Sequence, residues 1–160
     1  ATQQPAFVRA LFAAVQAQFP RLTCFVDTNG DTDPATWDLL DGLMDAAMVD
    51  LKCLDDTIHR RITGASNVRI LDSIRLLAAR RKLFEVRLLL MSGVNDADDL
   101  LAETGRWLAA VDPGMRVKVI GYRHHGVRPS PIPLREPTAG QRAHYAAVLR
   151  DQGLSDLVVV

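Results

Sequence analysis

Apolar residues recur along this chain in two alternating rhythms. Phe7, Val8, Leu11, Phe12, Val15 and Phe19 repeat at helical spacing. Short apolar runs near 22–26, 46–51, 84–91 and 116–120 then alternate with stretches of helical period. Asp33 and Pro34 suit the start of a helix whose stripe is Trp37, Leu39, Leu40, Leu43 and Met44. Asn67 precedes a stripe of Ile70, Leu71, Ile74, Leu77 and Ala78. Asn95 with Asp96, Asp98 and Asp99 opens another, its acidic first turn favoured by the helix dipole, and Asp112-Pro113-Gly114 ends it. Thr138 with Gln141 predicts a capping box for a last helix closed at Gly153, and residues 157–160 read as a short extra strand.

The gaps between strand starts each hold a crossover helix, so the sheet is expected to be parallel with right-handed crossovers. No linker divides residues 1–160, which read as one α/β unit. Strand interiors nevertheless carry Glu85, Arg87 and Lys118. The period of two puts Glu85, Arg87 and Leu89 on one face, and Val86, Leu88 and Leu90 on the other. An isolated charge in an apolar interior costs several kcal/mol, so one face must look onto polar space. A barrel lumen meets that demand better than a doubly wound sheet, whose two faces are both covered by helices.

Composition narrows the function classes. Nineteen basic and nineteen acidic side chains balance, and no basic run is threaded with aromatics, which argues against nucleic acid. No stretch approaches the roughly 18 apolar residues of a membrane span, so no membrane is expected and a cytoplasmic location is the default. Cys24 and Cys53 lack the spacing of a zinc or cluster motif and are expected to be reduced and buried. The chain opens on Ala1 and runs almost at once into a helix, which suggests a piece of a longer protein.

Three strand ends carry polar chemistry: Asp27-Thr28-Asn29-Gly30, Asp50-Leu51-Lys52, and Arg87 leading into Ser92-Gly93. Parallel sheets place ligands at the carboxyl ends of their strands, so these segments read as one site. To them are added Ile58-His59, Thr63-Gly64, Asn95-Asp96 and Tyr122-Arg123-His124-His125-Gly126. In this order and spacing the segments resemble the glycyl radical enzyme activases (pyruvate formate-lyase activating enzyme-like) of the radical S-adenosylmethionine superfamily.

The resemblance implies a partial (β/α)6 TIM-like barrel in which this chain supplies strands three to six. The family's Gly-Gly-Glu motif and its Cys-x3-Cys-x2-Cys loop would lie upstream. It further implies a radical S-adenosylmethionine oxidoreductase. A [4Fe-4S] cluster, held outside this chain, would cleave S-adenosylmethionine reductively, and the resulting radical would take a hydrogen from a glycine of a partner glycyl radical enzyme. The electron donor would be a flavodoxin or ferredoxin. By the same resemblance Asp27, Asn29, Asp50, Leu51, Lys52, Arg87, Arg123 and His124 bind the cosubstrate, and Asp27, Thr28, Met48 and Asp50 hold a monovalent cation. No catalytic side chain is assigned within the chain, and the chain alone is expected to be inactive.

Plainer readings exist for each feature. Asp27 to Gly30 suits an ordinary turn, Arg87 can bridge to Glu85 or Asp50, Met48 can be packing, and His59 and His144 read as helix-surface residues. A metal-dependent barrel hydrolase around Asp27, Asp50 and His124 or His125 is a rival, weakened by the cations Lys52 and Arg87. A non-catalytic, flavodoxin-like α/β docking module is another, and it leaves the strand charges unexplained.

Overall fold

The computed structural model describes residues 1–126 and 132–160. Helix α1 (Pro5–Gln18) leads into β1 (Phe25–Thr28), α2 (Pro34–Leu40) and β2 (Ala46–Leu51). Two helices, α3 (Asp56–Thr63) and α4 (Val68–Ala79), precede β3 (Leu83–Leu90). Helix α5 (Asp98–Val111), β4 (Arg116–Gly121), α6 (Ala139–Asp151) and β5 (Asp156–Val159) complete the order.

The five strands form one parallel sheet in the order β1-β2-β3-β4-β5. Spatial order equals chain order, so every crossover advances the same way. Right-handed crossovers of that kind put the helices on a single face. Burial records the result, with β2 and β4 alternating half-buried and buried residues without a break. Val26, Ala47, Val49, Val86, Val117 and Val119 are fully buried beneath Trp37, Leu40, Ile74, Leu77, Leu108 and Leu149. Each such large side chain contributes about 1.5–3 kcal/mol by leaving water. The alternate residues, Asp27, Met48, Asp50, Arg87 and Lys118, share the face without helices.

A bulge sets that alternation in β3. Ala47 pairs with Leu83 but Met48 pairs with Glu85, so Phe84 is the extra residue. Phe84 turns outward and meets Phe25 edge-on with ring centroids 5.1 Å apart. Glu85 and Arg87 thereby fall on the same face as Asp27 and Asp50.

Differences from the sequence expectation have local causes. Pairing in β1 begins at Phe25 rather than near residue 22, because the Cys24 amide donates to the Asp45 side chain instead of to a strand. Asp27 and Thr28 are therefore strand residues, not turn residues. Helix α3 was not foreseen, since Asp, Thr, His and Arg dominate it. Asp55 caps it by accepting from the Ile58 amide, and Gly64 ends it in a left-handed conformation at φ 82°. Helix α5 starts at Asp98, three residues after Asn95. The capping box at Thr138 and Gln141 is formed, and the tail is a fifth strand. No helix among the described residues is long and apolar enough to cross a membrane.

Candidate functional site

A cavity of about 460 Å³ opens at the carboxyl ends of β1 to β4, with Asn29, Asp50, Lys52, His59, Tyr122 and Arg123 in its walls. The β1 loop that brings in Asn29 is tied from the helix side. Gly30 has φ 72°, and a Cβ there would lie 2.8 Å from Val49 Cγ1, so neither the backbone conformation nor the space admits a larger residue. The Gly30 amide donates to Thr28 Oγ1 at 3.1 Å, and its carbonyl accepts from Ser73 Oγ at 2.7 Å. Ser73 Oγ in turn accepts from Trp37 Nε1 at 2.9 Å.

Two buried asparagines hold the segment that carries Lys52. Asn95 Nδ2 donates to the carbonyls of Lys52 and Leu89, and its Oδ1 accepts from the Met91 amide at 2.8 Å, which joins the ends of β2 and β3. Asn67 Nδ2 donates to the carbonyls of Cys53 (3.0 Å) and Leu54 (2.6 Å). Asn67 stands at the N-cap position of α4, as its sequence context suggests, and Asn95 lies three residues before α5, yet neither side chain makes a capping bond. Their side chains instead satisfy strand-end carbonyls that no ladder reaches.

The predicted site residues divide into three groups. Asn29, Asp50, Lys52 and Arg123 meet at the cavity, where Lys52 Nζ lies 3.3 Å from Asp50 Oδ2 and both side chains keep partial exposure. Arg87 and Asp27 lie outside its lining, in a line of ion pairs across the open face. Arg87 reaches Asp27 (2.8 Å) and Glu85 (2.9 Å), and its Nη2 contacts Met48 Sδ at 2.9 Å. Glu85, nearly buried, also meets Arg116 at 3.2 Å, and Arg116 approaches Asp156 at 3.6 Å. The remaining residues stand apart. Leu51 is buried in the helix-side core, and Thr28 points to that side with its hydroxyl 2.9 Å from Thr2 Oγ1. His124 is exposed, edge-on to Tyr122, with its amide donating to Glu136. Residues 127–131, which follow Gly126 of the last segment of the resemblance, lie outside the described residues.

His59 departs from expectation. It is 2% exposed in the cavity wall, not on a helix surface. Burial lowers its pKa, a hydrogen bond to the Cys53 backbone opposes the shift, and the Lys52 charge lowers it further, so the ring is neutral at pH 7. The signal that reveals it is structural: α3 has Ile58 and Ile62 as its only large apolar residues and must bury a third side chain. His144 does lie on the surface, 2.7 Å from Asp98. Burial pushes the Cys53 thiol up to about 11 and raises Cys24 too, as suits inert reduced thiols. Among the described residues no three His, Cys, Asp or Glu side chains gather where they could hold a metal ion, which leaves the hydrolase reading without a ligand set.

A parallel sheet wound in one direction, with helices on one face and a cavity at its carboxyl edge, is a partial TIM-like barrel. A domain of the pyruvate-formate lyase-activating enzyme from Bacteroides vulgatus has this fold, with TM-score 0.84 and 21% identity, covering 99% of this chain and 92% of that one. Streptococcus suis SuiB bound to S-adenosylmethionine is similar at TM-score 0.69 and 12% identity, covering 94% of this chain and 33% of that one. No protein-family model matches. In sequence the chain is 31% identical over 126 residues to the pyruvate formate-lyase 1-activating enzyme of Escherichia coli, covering 77% of this chain and 50% of that enzyme. The Staphylococcus aureus pyruvate formate-lyase-activating enzyme is 29% identical over 83 residues, 52% of this chain and 33% of that enzyme. In fold and in sequence the chain is similar to the pyruvate formate-lyase-activating enzymes. It spans about half the length of the curated relatives it matches.

Proposed function

We propose that residues 1–160 are the cosubstrate half of a radical S-adenosylmethionine activating enzyme. The observation that carries this reading is the placement of Asp50 and Lys52 together at a nucleoside-sized cavity on the carboxyl edge of the sheet. Lys52 offers an ammonium to the methionyl carboxylate. Asp50 offers a carboxylate to the ligand's cationic or hydroxyl groups, and Asn29, Tyr122 and Arg123 line the space left for the adenosyl group. When bound, S-adenosylmethionine supplies a 5′-deoxyadenosyl radical on one-electron reduction. The residues of this chain bind and orient it.

The two cysteines are buried apart from the cavity, so the [4Fe-4S] cluster of this reading takes its ligands outside the chain. Asp27, Thr28, Met48 and Asp50 are the positions proposed for a monovalent cation. Arg87 already neutralises Asp27, which weakens the need for one. The protein substrate is a glycyl radical enzyme that gives up a glycine hydrogen, and the electron comes from a flavodoxin or ferredoxin. Titration calorimetry with S-adenosylmethionine tests the reading. Lys52→Ala is expected to weaken binding about tenfold or more through loss of a charge-assisted contact. Wild-type chain that takes up no ligand, or a variant that binds equally well, contradicts it.

A further inference from the structure

Four strands place one residue each in a row across the open face: Asp50 is in register with Arg87, Arg87 with Lys118, and Lys118 with Val158. Asp50 is met by Lys52, and Arg87 by Asp27 and Glu85. Lys118 is met by nothing. Among the described residues no hydrogen bond or ion pair reaches its ammonium, because Glu85 and Asp156 turn to Arg116 and the other carboxylates of the face are taken as above. Its neighbour in the row, Arg87, has the same sign, and like charges side by side on a sheet repel. An apolar residue at 118 would continue the half-buried surface of Leu89, Ile120 and Val158 without that repulsion. Lys118 therefore does nothing for the fold that a valine would not do better, and its ammonium stands ready for an anion from outside the chain.

Position decides what carries that anion. Leu89, one residue along from the row, is also part of the cavity wall, so the open face and the cavity are continuous. The adenosyl group is neutral and the methionyl carboxylate is matched by Lys52, which leaves the protein substrate as the source. That substrate must bring a glycine Cα against the cosubstrate, and the open face is the approach the helices leave uncovered. Neighbouring strands stand about 4.8 Å apart, so Lys118 lies roughly 10 Å across the sheet from Asp50. An extended segment covers that span in about three residues. We propose that Lys118 is a specificity residue for the protein substrate, its ammonium pairing with an Asp or Glu side chain within about three residues of the target glycine. This rests on the activating-enzyme reading above and adds to it a feature of the partner's sequence: an acid near the glycine, set among apolar residues that suit Leu89, Ile120 and Val158.

The test uses the chain saturated with S-adenosylhomocysteine, which binds without chemistry, and fluorescent heptapeptides with a central Gly among apolar residues. Two peptides differ only in carrying Glu or Gln two residues from that Gly, and a third carries Lys there. Anisotropy at physiological ionic strength is expected to show the Glu peptide binding about fivefold tighter than the Gln peptide. The ε-methylene ¹H–¹³C signal of Lys118 should move with the Glu peptide and stay in place with the Gln one. Lys118→Met should remove the difference, and Lys118→Glu should turn the preference toward the Lys peptide. The peptide comparison on the wild type needs no substitution, so the test survives a variant that fails to fold. Equal affinity of the wild type for the Glu and Gln peptides, no binding of either, or a Glu preference that persists in Lys118→Met overturns the proposal while leaving the S-adenosylmethionine reading intact. Wild-type chain that binds no S-adenosylhomocysteine overturns both.

Discussion

The two faces of the sheet meet different surroundings through the same strands. Leu88 is 3% exposed beneath the helices, while its neighbours Arg87 and Leu89 stand on the face without them. One face is a close-packed core in which volume decides stability. The other is a surface of charges held to one another, from Asp27 through Arg87, Glu85 and Arg116 to Asp156. The contrast separates what folds the chain from what equips it. Substitutions on the covered face should be read in stability, and those at the carboxyl edge of the open face in ligand binding.

The largest effect should come from the covered face. Leu88→Ala is expected to cost about 2–5 kcal/mol in urea unfolding, against less than about 1 kcal/mol for Leu89→Ala one residue along. Similar losses at both positions would break the distinction. Next is Arg87→Met, which leaves Glu85 with Arg116 alone and Asp27 without its partner. A loss of about 1–3 kcal/mol is expected, less than for a fully enclosed pair because Asp27 is well exposed. Adding Glu85→Met should restore part of it. Gly30→Ala should cost about 1–2 kcal/mol, from a left-handed backbone and the approach to Val49, and should also weaken ligand binding by shifting Asn29.

The smallest effect is a pH dependence at α3. Hydrogen bonds from Arg60, the Asn67 amide and Ser66 lower the Asp56 carboxyl from 3.8 to about 2. A carboxyl with a depressed folded pKa stabilises the fold above its unfolded value, and that contribution is lost as pH falls through the folded one. Stability should therefore show a slope between about pH 4 and pH 2 that Asp56→Asn removes. A carboxyl titration of Asp56 by ¹³C NMR with an ordinary midpoint would contradict this.

Most of the architecture could be read in the sequence because it rests on periodicity. The alternation of Glu85, Arg87 and Leu89 with Val86, Leu88 and Leu90 foretold a polar face, and the alternation of strands with helices foretold the parallel order. Strand ends were less legible: β1 starts at Phe25 because a side chain, Asp45, takes the Cys24 amide, and no local pattern encodes that contact. Within the site, Asp50 and Lys52 could be read because a triplet at a strand end puts its first and third residues on one face. Leu51 was grouped with them although the same rule sends it to the core. His59 was misread because α3 is polar almost throughout, so no stripe marks its inner side. Asn67 does stand at the N-cap position of α4, but its side-chain amide, like that of Asn95, tethers carbonyls elsewhere, a use that sequence does not distinguish from capping.

The central claim is that the carboxyl edge of the open face receives S-adenosylmethionine. Amide chemical-shift mapping during a titration with that ligand tests it most directly. Perturbations are expected to concentrate at Asn29, at Asp50 and Lys52, around His59 and at Tyr122 and Arg123, with helix-covered strand residues such as Val86 and Val117 unmoved. Perturbations scattered over α4, α5 and α6, or none at saturating concentration, would contradict the account.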